Sequence, residues 1–294
     1  MFEGFERRLL PGIDGVEINA VIGGTGPPLL LLHGFPQSHV AWHLVAPILA
    51  RRFTVVATDL RGYGDSSKPE SDPAHLVYSK RSTAADQVAA MRSMGFARFY
   101  VAGWDRGGRV AHRMALDHPE AVERLAILDI TPTRETLRAT TSEFARAYFH
   151  WFFLSQPYDF PEKMILANPE FFVLRNLNAG PGGILEGTFK PEALAEYVRC
   201  YRNPGVVHAT CEDYRAMFTI DIQHDDEDGP KKVTCPTYIL WGSKTVVHLM
   251  FDPLTMWSQR VEGVTGEPLP STHFLCEEIP DIVAVKLLTF FFSR

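Results

Sequence analysis

The chain reads as an α/β protein, a mostly parallel central sheet flanked by helices with an inserted helical cap. Three features predict this. Short apolar runs alternate with helix-period segments as far as Asp129, an aromatic helix-period stretch then replaces them, and a last strand-like run returns after position 236. Taken in order, Pro28-Leu29-Leu30-Leu31-Leu32-His33 has no polar face, which suits a strand buried on both sides. Phe53-Thr54-Val55-Val56-Ala57-Thr58 follows, rich in β-branched residues. Thr83 to Met94 has helical spacing, Phe99-Tyr100-Val101-Ala102 is again strand-like, and Arg109 to Asp117 is again helical. Leu125-Ala126-Ile127-Leu128-Asp129 closes the series, and such alternation argues for a parallel sheet covered on both faces.

After Pro132 the composition changes. Phe144, Tyr148, Phe149, Trp151, Phe152 and Phe153 fall within ten positions at helical spacing, and turn residues gather from Asn176 to Gly183. The strand signal returns only at Thr237-Tyr238-Ile239-Leu240-Trp241-Gly242. The organisation this predicts is a core domain of residues 1–133 and 229–294, interrupted by a helical cap of residues 134–228. The acidic run Asp225-Asp226-Glu227-Asp228 reads as a solvated loop where the cap returns to the core.

Composition removes several classes of function. The 294 residues are 46% hydrophobic, enough for a sizeable core, and 29 Lys plus Arg against 35 Asp plus Glu leave a net charge of -6. That balance offers no footprint for nucleic acid or an anionic membrane, so an anionic ligand needs a local basic site. No run approaches the ~18 apolar residues of a membrane span, and Met1 to Arg8 does not resemble a leader, so the expected address is cytoplasmic. Cys200, Cys211, Cys235 and Cys276 are dispersed and read as apolar fillers, and the histidines lack metal-ligand spacing. Neither metal nor cofactor is expected.

The chemistry concentrates at Gly103-Trp104-Asp105-Arg106-Gly107, directly after a strand-like run and before a helical one. Hydrolases of this layout place a serine at such an elbow; a carboxylate there can instead displace a leaving group from saturated carbon and be released as an ester. The plain alternative is an aspartate N-cap. Oxyanion donors are expected from the backbone N–H of Arg106 and from the His33-Gly34-Phe35-Pro36 loop, at Phe35. His273, in the turn-rich Leu269 to Phe274, follows in the chain order that this arrangement requires and has the pKa of a general base. For the acid that orients it, Gly242-Ser243-Lys244-Thr245 offers no carboxylate, whereas Asp129 ends a strand, so Asp129 is assigned. Arg106 and Arg109 lie in the first helical turn, where the helix dipole disfavours cations by a few tenths to ~1 kcal/mol. Such a cost points to a use.

With these residues in place, the chain resembles the α/β-hydrolase superfamily and, within it, the haloacetate (fluoroacetate) dehalogenases, nearly from end to end. His33-Gly34-Phe35-Pro36 and Asp59-Leu60-Arg61-Gly62-Tyr63-Gly64 are motifs of the whole superfamily. Asp105-Arg106-Gly107-Gly108-Arg109, His150-Trp151 and Asp213-Tyr214-Arg215 together are more specific. The resemblance implies that Arg106 and Arg109 hold the carboxylate of a small 2-haloacid, that His150, Trp151 and Tyr214 donate to the departing halide, and that the protein is a homodimer. One position departs from the pattern: Trp104 stands where the family carries histidine, so an altered rate or halide range is expected around an intact triad. Two rivals remain open. An epoxide hydrolase would use the same Asp-His-Asp triad with Tyr148 and Tyr214 protonating the ring oxygen, and a binding protein without activity would use only the arginines.

Overall fold

A computed structural model describes residues 1–178 and 187–293. Eight strands form one sheet: β1 (Glu6–Pro11), β2 (Glu17–Gly23), β3 (Pro28–Leu32), β4 (Thr54–Thr58), β5 (Phe99–Trp104), β6 (Val122–Leu128), β7 (Thr237–Gly242) and β8 (Thr265–Leu269). Their order is β1-β2-β4-β3-β5-β6-β7-β8. β1 and β2 pair antiparallel with their neighbours, and β3 to β8 run parallel. The five strands expected from apolar runs are present, with Leu29 to Leu32 buried as two-sided cover requires.

Helices Lys80–Ser93 and Arg106–Asp117 pack against the sheet close to where their spacing placed them. Between β6 and β7 the described residues form eight helices, from Thr133–Arg138 to Ile220–Asp228, and no strand. Local chemistry starts several of them. Asn168 and Asn203 cap the helices that begin at Pro169 and Pro204, and Thr141 caps Ser142–Ala147. The turn-rich stretch expected around Asn176 to Gly183 runs beyond position 178 into residues outside those described.

The acidic run at 225–228 is a correction. It is the end of helix Ile220–Asp228, and Asp225 and Asp228 bind Arg113 at 2.6 and 2.5 Å. A helix-face pairing of this kind depends on a partner more than a hundred positions earlier, so local composition could not reveal it. Cys200, Cys211 and Cys276 are buried and Cys235 is partly so, all as free thiols. No helix among the described residues is long and apolar enough to cross a membrane.

The parallel strands deliver the candidate site residues to one edge. The loop His33 to Gln37 leaves the C-terminal end of β3, Asp105 that of β5, Asp129 that of β6, and His273 follows β8.

Candidate active site

Asp105 sits between β5 and helix Arg106–Asp117 with φ 50° and ψ -115°. A non-glycine residue in this region costs about 1–3 kcal/mol, a strain held by the surrounding packing. That packing leaves no room to spare: a Cβ on Gly34 would lie 2.5 Å from Asp105 Cβ, and one on Gly107 would lie 2.4 Å from the Leu32 carbonyl oxygen. The Asp105 side chain does not cap its helix. Instead Oδ1 accepts the Phe35 N–H at 2.8 Å, and Oδ2 faces His273 Nε2 at 3.8 Å. The Arg106 N–H, in the first turn of that helix, has no partner within the helix.

His273 Nδ1 meets Asp129 Oδ2 at 2.5 Å. Asp129, also at positive φ, is fully buried, and its Oδ1 accepts the Gly242 N–H at 2.9 Å and the Thr245 hydroxyl at 3.2 Å. The Gly242 to Thr245 segment therefore contributes donors to the acid although it carries no acid itself. Burial disfavours a charged imidazole at His273, but the hydrogen bond and charge of Asp129, with a smaller pull from Asp105, outweigh it and raise the pKa above the ordinary value. Burial pushes the Asp129 carboxyl up, and the contact with His273 pulls it only partly back.

A cavity of about 50 Å³ opens against these groups, enough for a few water-sized bodies. Asp105, His273, Phe35 and His150 line it, together with Tyr148 and Asn176 from the cap. Sequence reasoning cast Tyr148 only in the epoxide alternative and missed Asn176, whose place on the wall is set by cap packing and leaves no motif. Arg106, Arg109, Trp151 and Tyr214 are buried behind this wall rather than on it. Tyr214 packs edge-on to Phe35 and His150, with the Arg106 guanidinium over its ring at 4.2 Å, and Arg109 lies over Trp151 at 4.8 Å.

The two arginines differ in a way their spacing did not predict. Arg106 was expected to grip a ligand, but its fork is occupied: Nε donates to Asp213 Oδ2 and Nη2 contacts Oδ1, each at 2.7 Å, and Nη2 also donates to the Asp213 carbonyl. Only Nη1, against the Met217 sulfur, faces a weak partner. Asp213 is itself held by Lys80 and by the Tyr63 hydroxyl, so the Asp59 to Gly64 motif serves this buried ion cluster through Tyr63. Arg109 spends Nη1 on Thr133, while Nε and Nη2 are buried and have no partner among the described residues. Burial and the neighbouring Arg106 push its pKa down to about 10, with the Asp105 charge pulling the other way. This is the pattern of a cation that lacks its anion.

His150 Nδ1 and Tyr214 Oη are also buried, with no hydrogen-bond partner among the described residues. Burial pushes His150 down to about 3 and raises Tyr214 far above the ordinary tyrosine range, so at neutral pH both are uncharged. Native interiors rarely leave polar atoms unsatisfied, and these four belong to side chains that all feel the Asp105 charge. Bound anionic groups would satisfy them.

A strained carboxylate at a strand-to-helix elbow, backed by a His-Asp pair at the same sheet edge, defines an α/β-fold hydrolase. Residues 27–179 match the α/β hydrolase fold family, and the chain belongs to that family. It is 48% identical over 290 residues to a fluoroacetate dehalogenase from a Burkholderia species, covering 99% of this chain and 95% of that protein. A soluble epoxide hydrolase from Corynebacterium sp. strain C12 is 35% identical across 95% of each chain. Among solved structures, a candidate α/β hydrolase from Nostoc sp PCC 7120 matches with a TM-score of 0.98 at 51% identity, covering all of both chains.

Proposed function

We propose that the protein hydrolyses short 2-haloacids such as fluoroacetate and chloroacetate to glycolate and halide, through an ester on Asp105. The observation that carries this reading is Arg109, buried with Nε and Nη2 unpaired among the described residues and close enough to Asp105 to feel its charge. That free edge of the guanidinium has the geometry to take both oxygens of a carboxylate. Arg106 Nη1 would lie alongside it, and the α-carbon would then be held toward Asp105.

Asp105 Oδ2 attacks that carbon while Oδ1 stays on the Phe35 N–H. The carbon–halogen bond breaks with its electron pair leaving as halide, received by His150, Tyr214 and Trp151 as neutral donors. Water then attacks Cγ of the ester, and His273 Nε2 takes its proton. The oxyanion forms at Oδ1, facing the N–H groups of Phe35 and Arg106. Collapse expels the glycolate oxygen, which takes the proton back from His273, and Asp105 retains an oxygen from water and loses its own proton to solvent. No metal or cofactor enters the balance.

A second reading has a specific observation behind it. Tyr148 lines the cavity and Tyr214 Oη is unpaired among the described residues, both kept protonated by burial, and an epoxide hydrolase needs such acids. It leaves the unpaired edge of Arg109 without purpose, because an epoxide carries no charge. A panel of fluoroacetate, chloroacetate and an epoxide given to the wild-type enzyme decides: halide release with little epoxide opening is expected. Epoxide turnover alone would support the second reading, and no turnover of any would favour a carboxylate-binding protein.

The raised pKa of His273 fixes a pH dependence. The imidazole serves as base only when neutral, so ester decay should be constant at high pH and fall as the pH drops through the raised value. Asp129, which persists through the cycle, contributes more of the upward pull than Asp105, which is neutral once esterified. The midpoint for ester decay in single-turnover experiments is therefore expected above the ~6.5 of a free imidazole. A midpoint below that would mean that Asp129 does not charge-couple to the base.

A further inference from the structure

Trp104, the last residue of β5, is almost fully buried beneath the two loops that carry the reacting groups. Its Nε1 donates to the carbonyl oxygen of His273 at 2.8 Å. The indole lies 4.9 Å from the His273 imidazole and 5.6 Å from the Phe274 ring, centroid to centroid. On its other side Trp104 abuts the Phe35 loop so closely that a Cβ on Gly34 would come within 2.8 Å of its Cε3. One rigid side chain thus touches both the base loop and the oxyanion loop, and its only polar atom is spent on the backbone of the base.

His273 needs such support. It follows β8 in a loop whose neighbours are secured elsewhere, Ser271 N–H to Leu269 and Thr272 to Glu278. Its imidazole must keep Nδ1 on Asp129 while aiming Nε2 at a water beside Asp105. Two side-chain torsions separate the ring from the Cα, so once the adjoining carbonyl is fixed, those torsions alone set its aim.

We propose that Trp104 is a positioning residue for the general base: its indole N–H anchors the His273 carbonyl and so holds the imidazole in line between Asp129 and the ester on Asp105. The inference rests on the aspartyl-ester reading above. It predicts an effect confined to the second half of the cycle, since halide displacement uses Asp105 and not His273.

Trp104→Phe is the test, because it keeps an aromatic body in the core and removes only the donor and part of the ring. In single-turnover experiments the first halide should leave at the wild-type rate, whereas ester decay should slow roughly tenfold, the size of one neutral hydrogen bond. The His273 titration midpoint, read by NMR, should move down toward ~6.5 as the imidazole loosens from Asp129. Trp104→His, which keeps a ring donor, should retain more of the ester-decay rate than Trp104→Phe. A residue that only fills space would lower the thermal midpoint or the fraction of active sites and leave both rates per active site, and the His273 midpoint, unchanged. That result, equal slowing of both steps, or the reverse order of the two variants would overturn the proposal. If the wild type itself released no halide, the ester reading would fail, and the NMR arm would still decide whether the indole positions His273.

Discussion

Arg109→Leu is expected to lower kcat/KM for fluoroacetate by about 10³-fold, with two charge-assisted hydrogen bonds of roughly 1.5–3 kcal/mol each removed from the bound carboxylate. Opening of an epoxide, if any is detectable, should change little. Stability should move the other way from activity. The wild-type guanidinium is buried with two nitrogens unpaired among the described residues and its pKa pushed down to about 10, so it is destabilising until a ligand arrives. Leucine removes that penalty at the cost of one hydrogen bond to Thr133 and the cation–π contact with Trp151, together smaller than the desolvation of an unpaired charge. The thermal midpoint of the variant should therefore equal or exceed that of the empty wild type, and bound carboxylate should raise only the wild-type value. Fluoride release followed with an ion-selective electrode, beside thermal unfolding, checks both halves. A loss below about tenfold would mean that the substrate carboxylate is held elsewhere.

His273→Asn is expected to reduce steady-state turnover by ~10⁴-fold or more, as loss of one member of a catalytic unit commonly does. The loss should not reach the first step. Halide displacement needs the Asp105 carboxylate, the Phe35 N–H on Oδ1 and the donors behind the wall, none of which passes through the imidazole. About one equivalent of halide per active site should appear at near the wild-type rate, and release should then stop. A variant that released none would place His273 in the displacement itself.

How much of this was legible in the sequence varies by element. The strands of the parallel core were visible because Leu29 to Leu32 and Val55 to Ala57 are apolar on both faces. β1 and β8 were not, because they lie at the sheet edges: five of the six residues of β1 are exposed, and β8, Thr-Gly-Glu-Pro-Leu, carries a proline that only an edge tolerates. β2 was missed as well, although its interior is buried, since Glu17 and Asn19 interrupt its apolar pattern. Asn19 is in fact satisfied by Asp59, forty positions away.

At the candidate site, the elbow could be read because its signal lies in five consecutive residues. The contrast between the two arginines could not, because it depends on Asp213, 107 positions beyond Arg106 and on a cap helix. The Gly242 to Thr245 segment carries no carboxylate to draw notice in the sequence, yet it supplies two of the donors to Asp129. Local motifs disclose reacting atoms, whereas the partners that tune those atoms come from distant chain and emerge only when the fold brings them together.

The covalent bond at Asp105 can be weighed outright, as the mass of the peptide containing that residue from His273→Asn protein quenched after incubation with fluoroacetate. Asp105 should gain one carboxymethyl group in nearly every molecule, with one fluoride released for each. Fluoride released while that peptide keeps its unmodified mass would contradict a covalent bond there.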